Sequence, residues 1–426
     1  MSDEPVVRSE SGSERDWPVI TAADALAQLQ TKGTLARVTV SGLRLRGEFT
    51  LPISFNHVRL IRPTFEGAIF KDTVEFIGCT LQRAVFNRRT TFEKSVRFSG
   101  ACTLRRADFG NVVFTGNARF DGSVCEGSLK FWDCEFTSGC RFWDARIGGW
   151  TEFTRCQFKD EADFRSMHVD QGLQFTQCVF TGDALLRGTY VAKKLDFTTS
   201  RFEKLLDFSK AKLHDFVYLE TIEQGPAQTF AFSNMIGERL LISSRQLAGR
   251  VVSESKQDYS VAMLEFGLLK RNFESLHRYD DEDWAFYRFK VNQRRSRATS
   301  WLRPWTKLLR LADKVLLDWG CGYGTNPFRA VTTALIIVLL FGALYGAESH
   351  HFDAVSPPLG FLPKDGLVNR AVFGLMTSVS VFTAGFSGDH LRSAHGWVLL
   401  PLASEALLGT LLWGLFIVAF SRKVIR

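Results

Sequence analysis

Residues 107–142, ADFGNVVFTGNARFDGSVCEGSLKFWDCEFTSGCRF, set a large apolar residue at steps of alternately 5 and 6: Phe109, Phe114, Phe120, Cys125, Phe131, Phe136 and Phe142. The spacing fits neither the 3.6-residue period of a helix nor the two-residue alternation of a strand. Two places before the large residue a small one usually stands, as at Ala107, Ala118, Ser123, Cys134 and Cys140. One large and one small residue per short straight side predict a four-sided solenoid in which each coil stacks the same residue type on the next.

The pattern runs forward through Ile147, Phe153, Phe158, Phe164, Val169, Phe175, Phe180, Leu186, Val191, Phe197, Phe202 and Phe208 to Leu213. It runs back through Phe98, Phe92, Leu81, Phe76 and Phe70 to Phe65, slipping near Phe86 and Leu104. It resembles the pentapeptide-repeat family, and the resemblance implies a quadrilateral parallel β-helix over 65–220. Two 11-residue units per coil give roughly seven coils, a rod about 35 Å long at the spacing of neighbouring strands. The family's usual period is five, so the sixth residue of alternate units is expected at a bulge or loosened corner. Between Phe65 and Leu219 stand 22 Lys plus Arg against 20 Asp plus Glu, a balance that argues against an acidic nucleic-acid mimic.

Cys79, Cys102, Cys125, Cys134, Cys140, Cys156 and Cys178 lie in this region, and the eighth cysteine is Cys321. No C-x-x-C pair is present, so the repeat cysteines read as buried free thiols in a reducing compartment, not as metal ligands or disulfides. Residues 1–17 are polar and charged, with no apolar core of a signal peptide, and read as a disordered tail. Residues 18–64 read as a short capped helix and cap strands, and 221–300 as a helical linker whose apolar spacing suggests a hairpin around HRYDDED. The β-helix and hairpin are expected to regulate or localise the chain by binding a protein or ligand that the sequence does not name.

Basic residues gather at Arg288, Lys290, Arg294, Arg295, Arg297, Arg303, Lys307, Arg310 and Lys314, in a chain of net charge +8. Trp301, Leu302, Trp305, Leu308, Leu309, Val315, Leu316 and Trp319 interleave with them, so 301–327 reads as an amphipathic helix against anionic lipid of the cytoplasmic leaflet. Nucleic acid is not an expected partner. Gly320, Gly322 and Gly324 have no preceding strand and no following Lys-Ser or Lys-Thr, so they mark a break closed by Pro327, not a phosphate loop.

Residues 328–426 hold two stretches long and apolar enough to cross a bilayer, Phe328 to Ala347 and His395 to Phe420. Glu405 is the one internal charge of the second, and its cost at that depth directs it into protein. Between them, Asn369 to Asp389 begins as a short apolar helix and ends in TAGFSGD, where two glycines free the backbone to turn. This order resembles the two-transmembrane potassium-channel family: span, pore helix, filter, span. Thr383, Ala384, Gly385 and Phe386 match the first four filter places. Thereafter either Ser387 is inserted before Gly388 and Asp389, or Ser387 replaces the second glycine and Gly388 the aspartate.

The resemblance implies a homotetramer with filter residues Thr383 to Asp389 and monovalent cations as its permeant ions, potassium among them. Gly409 and Gly414 are candidate gating hinges. Arg422, Lys423 and Arg426 follow the second span, so the positive-inside rule expects both termini in the cytoplasm of a bacterial inner membrane. The pore loop then enters from outside. No catalytic constellation is present, and adjacent His350 and His351 without further ligands read as solvated, so no enzyme activity, metal or cofactor is expected. The rival reading is a membrane-anchored pentapeptide-repeat scaffold with a non-conducting pore.

Overall fold

The computed structural model describes residues 17–237, 239–297, 310–311, 313–352, 366–384 and 394–424. The chain divides into two compact units, one ending at His277 and the other beginning at Arg278.

The first unit is a four-sided parallel β-solenoid of about ten turns. One face is a ten-strand ladder from Val19–Ile20 to Lys212–Leu213, and another runs from Thr34–Ala36 to Thr229–Ala231. The remaining faces are joined where the strand Thr64–Phe70 turns a corner and pairs with both Ala84–Asn87 and Thr91–Phe92. Register follows the sequence period: Phe109, Phe131, Phe153 and Phe175 pair in succession, 22 residues apart. Their rings stack at 4.6 to 4.9 Å and lie within 10° of parallel, while Phe142 meets Phe153 edge-on at 5.8 Å. The buried column thus gains offset-stacking and edge contacts in addition to area removed from water.

The slip near Phe86 and Leu104 is a change of coil length. Phe65 pairs with Phe86, 21 residues on, but Phe86 pairs with Phe109 and Leu81 with Leu104, 23 residues on. The left-handed corners fall on the five-residue steps, two places after the large residue, and not at the sixth residue of the longer sides, where a loosened corner was expected. Asn111, Asp133, Arg155, Gln177 and Thr199, one per coil, have φ of 53 to 54°. An L residue costs roughly 1 kcal/mol there, so the stacked core imposes the corner against local preference.

The small positions have a polar task as well as a steric one. Cys134, Cys156 and Cys178 thiols donate to the carbonyls of Phe109, Phe131 and Phe153 at 3.3, 3.6 and 3.3 Å. Thr90, Thr189 and Ser200 do the same for Phe65, Phe164 and Phe175. Val112, Ala145, Met167 and Ala211 hold the same place without a donor, so the bond is optional there, and a thiol combines small apolar bulk with the ability to make it. The eight cysteines are free and buried, and burial pushes the Cys125 thiol up to about 12.

Both solenoid ends are covered by helices, which removes the exposed strand edges that would otherwise template aggregation. At the start, Ala22–Lys32 is capped by the Thr21 hydroxyl and ended by Gly33 at φ 68°, and it buries Ala25 and Leu29. The ladders therefore begin well before Phe65, and 34–61 forms coils instead of separate cap strands. At the far end, on Tyr259–Ser275, Glu265 accepts from the Phe232 amide at 2.8 Å. Asn272 accepts from the Leu240 amide at 2.7 Å and donates to its carbonyl at 3.0 Å. Two buried polar side chains thus satisfy backbone groups of the last coil that no further strand pairs.

The second unit is helical. Tyr279–Ser296 carries Asp280, Asp281 and Glu282 in its first turn and Arg294 and Arg295 in its last, matching the helix dipole. Three long helices follow: a first apolar helix Pro327–Ala347, a middle helix Leu367–Ala384 and a second apolar helix Leu399–Val424.

Candidate functional site

The site is built outward from the middle helix, which the two apolar helices grip through glycines. A Cβ placed on Gly374 would lie 2.1 Å from the Gly342 carbonyl oxygen and 2.4 Å from the Gly346 nitrogen. Gly342 and Gly346 form a G-x-x-x-G step on the first apolar helix, so two backbones meet where no side chain fits between them. On the other flank, a Cβ on Gly409 would lie 2.4 Å from the Phe382 carbonyl oxygen. Gly409 therefore has a packing duty, whereas a Cβ on Gly414 would meet nothing within 4 Å, and the second apolar helix runs unbroken through both.

Polar side chains close the gap between the glycine contacts. The Ser378 hydroxyl bridges the Val338 carbonyl, at 3.0 Å, and the Glu405 carboxylate. Glu405 is fully buried, and the hydroxyl of buried Tyr345 interacts with its carboxylate. One residue from each helix thus enters this polar cluster, within a core that includes Tyr345, Phe352, Val381, Val398, Leu402 and Ala406. Ser378, Tyr345 and the three close-contact glycines were not singled out from sequence. Only the G-x-x-x-G spacing carried a readable signal.

Thr383 and Ala384 end the middle helix, which continues two residues farther than the expected break before TAGFSGD. No glycine stands between Gly374 and Gly385, and the Thr383 hydroxyl donates to the Val379 carbonyl at 2.7 Å, a bond that a helical turn accommodates. Gly385, Phe386, Ser387, Gly388 and Asp389 lie outside the described residues, as do Arg303, Lys307 and most of the expected interfacial helix. Within its described residues, Asp313–Trp319 is a π-helical stretch.

The break ahead of the first apolar helix has a defined geometry. Gly322, Tyr323 and Gly324 have φ of 56, 54 and 79°, and Asn326 then caps the helix while Pro327 occupies its first turn. Tyr323 is held in this unfavourable conformation by its hydroxyl, which accepts from Arg294 and donates to Asp313, both at 2.9 Å. Arg294 also donates to Asp318 at 2.7 Å in a buried ion pair, and Tyr287 donates to the other Asp318 oxygen at 2.7 Å. Burial and the acceptors beside them push both tyrosine hydroxyls above the usual range, so they remain neutral donors. This network ties Tyr279–Ser296 to the junction.

The outer faces of the long helices are apolar. Leu335, Ile336, Leu339 and Leu340 on the first, and Leu400, Trp413, Ile417 and Phe420 on the second, are exposed. Patches of this extent call for lipid or protein cover. Pro327–Ala347 and Gly396–Ser421, of mean hydropathy 2.2 and 1.8, are long and apolar enough to cross a membrane.

Against known proteins, the family of pentapeptide repeats (9 copies) matches residues 88–135 and 109–157. No curated protein and no solved structure matches the chain. The chain carries pentapeptide repeats folded as a β-solenoid, followed by helices of which two have the character of membrane spans.

Proposed function

We propose that the chain is one subunit of a tetrameric, cation-conducting membrane channel whose pentapeptide-repeat solenoid regulates or localises it. The observation that carries this reading is the glycine-gripped middle helix between two span-like helices, ending at Thr383–Ala384 immediately before Gly385. In a channel of this kind the middle helix is the pore helix and residues 383–389 are the filter, its carbonyls replacing an ion's hydration shell. The exposed apolar flanks then face lipid and neighbouring subunits, Asp389 makes an acidic ring at the outer mouth, and both termini are cytoplasmic. No cofactor or catalytic step is part of this reading. Native mass spectrometry of the purified chain should give a tetramer, and planar-bilayer recording should give unitary cation currents. A monomer without conductance would favour the scaffold reading. That second reading draws on a cleft of 440 Å³ on the solenoid, where Arg141, Arg165, Arg187 and Lys210 surround Trp143.

A further inference from the structure

The first apolar helix ends at Ala347, and the 3₁₀ turn Ser349–His351 folds the next residues back on that end. The turn gathers three metal-ligating side chains. Nε2 of His351 lies 3.6 Å and Nε2 of His350 lies 3.8 Å from one Glu348 carboxylate oxygen. The donor atoms of all three residues lie within 4.8 Å of one another. We propose that Glu348, His350 and His351 form a binding site for a transition-metal dication of the zinc class.

Zinc takes imidazole nitrogen and carboxylate oxygen at about 2.0 to 2.2 Å, which sets tetrahedral donors roughly 3.3 Å apart. The two Glu–His spacings need only a few tenths of an ångström of side-chain rotation to reach that value. The donor set also names the class of ion, because two imidazoles with one carboxylate suit zinc, nickel or copper, whereas calcium and magnesium prefer all-oxygen cages.

The surroundings brace the turn. The Glu348 amide donates to Leu344 at 3.0 Å, Phe352 forms an antiparallel bridge with Ala394, and the His395 amide donates to the His351 carbonyl at 3.0 Å. The same bridge brings the His395 ring to 6.2 Å from that of His351. A third imidazole, as a fourth ligand, thus stands beside the site, and water serves otherwise. With His395 recruited, the ion would pin the end of the first apolar helix to the segment entering the second. Sequence spacing alone offered two adjacent histidines, and the 3₁₀ turn adds the carboxylate.

Binding does not depend on the chain's conducting ions, so its test is separate from that of the channel reading. The full chain, purified in detergent without a polyhistidine tag, is titrated with Zn²⁺ by calorimetry and with Co²⁺ by visible absorption. The expected result is saturable binding of one ion per chain, with the intense absorption of tetrahedral cobalt, undisturbed by excess Mg²⁺ or Ca²⁺. His351→Ala and Glu348→Gln should each weaken Zn²⁺ by about 10-fold or more, and His395→Ala by less. Size-exclusion profiles of the variants, matched to the wild type, keep a folding defect from passing as loss of a ligand. Absence of saturable binding, or unchanged binding by the His350→Ala/His351→Ala double variant, would overturn the site.

Discussion

The solenoid and the helical unit reach close packing by opposite means. In the solenoid, large rings fill the interior and stack coil on coil, as Phe131, Phe153 and Phe175 do at 4.7 and 4.9 Å. In the helical unit, side chains are absent where the helices meet, as at Gly342, Gly346, Gly374 and Gly409. The difference reflects what each surface leaves behind. Removing apolar area from water drives the first, whereas helices placed among lipid tails, as the proposed function has these, would gain little by burying more, so close backbone approach and polar links would have to hold them. Loss of volume should therefore injure the solenoid, and gain of volume the bundle.

The largest expected effect is Phe153→Asp, which removes a stacked ring and puts a charge in a dry core. Thermal melting of residues 17–277 should show destabilisation by about 5 kcal/mol or more. An unchanged midpoint would dissolve the contrast at its solenoid side. Next come two ion pairs, Arg155–Asp133 exposed on the solenoid and Arg294–Asp318 buried in the helical unit. Arg294→Met leaves Asp318 buried without its partner and should cost about 3 to 5 kcal/mol, read by chemical denaturation of the full chain. Removing Asp318 as well, with Leu, should recover most of the loss, whereas Arg155→Ala on the solenoid surface should cost less than about 1 kcal/mol.

Gly374→Leu drives a side chain into the Gly342 backbone and should destabilise the bundle by about 2 to 3 kcal/mol. Protease resistance of the helical unit should fall while the solenoid melts at its former temperature; an intact bundle would mean that the glycine contacts do not hold it. Smallest is Gln177→Gly, which relieves a left-handed corner at φ 54°. A gain of roughly 0.5 to 1 kcal/mol in melting experiments is expected, and a loss would show that the corner side chain contributes more than its strain costs.

These differences also explain what could be read from sequence. The solenoid repeats one environment many times, so the Phe spacing stands out despite imperfect coils. Its first turns escaped notice because their register is irregular, with a shift between Leu45 and Gly47 as that strand pairs with Thr64–Phe70. The apolar helices were legible from length and composition. Their partners were not: the contacts of Gly374 with Gly342 and Gly346, and of Ser378 with Glu405, each occur once and join residues far apart in the chain. Gly409 illustrates the limit, since a glycine that bends a helix and one that admits a neighbour's backbone look alike in one dimension.

The central claim, that cations pass along residues 383–389, is tested most directly by the reversal potential of the reconstituted chain under opposed cation and chloride gradients, wild type beside Gly385→Val. In the proposed pore, four copies of Gly385 around a narrow axis would leave no room for a Cβ, and Asp389 would concentrate cations at the outer mouth. The wild-type potential should follow the cation gradient, and Gly385→Val should be silent while still assembling as a tetramer. A potential that tracks chloride, or full current through Gly385→Val, would contradict the account.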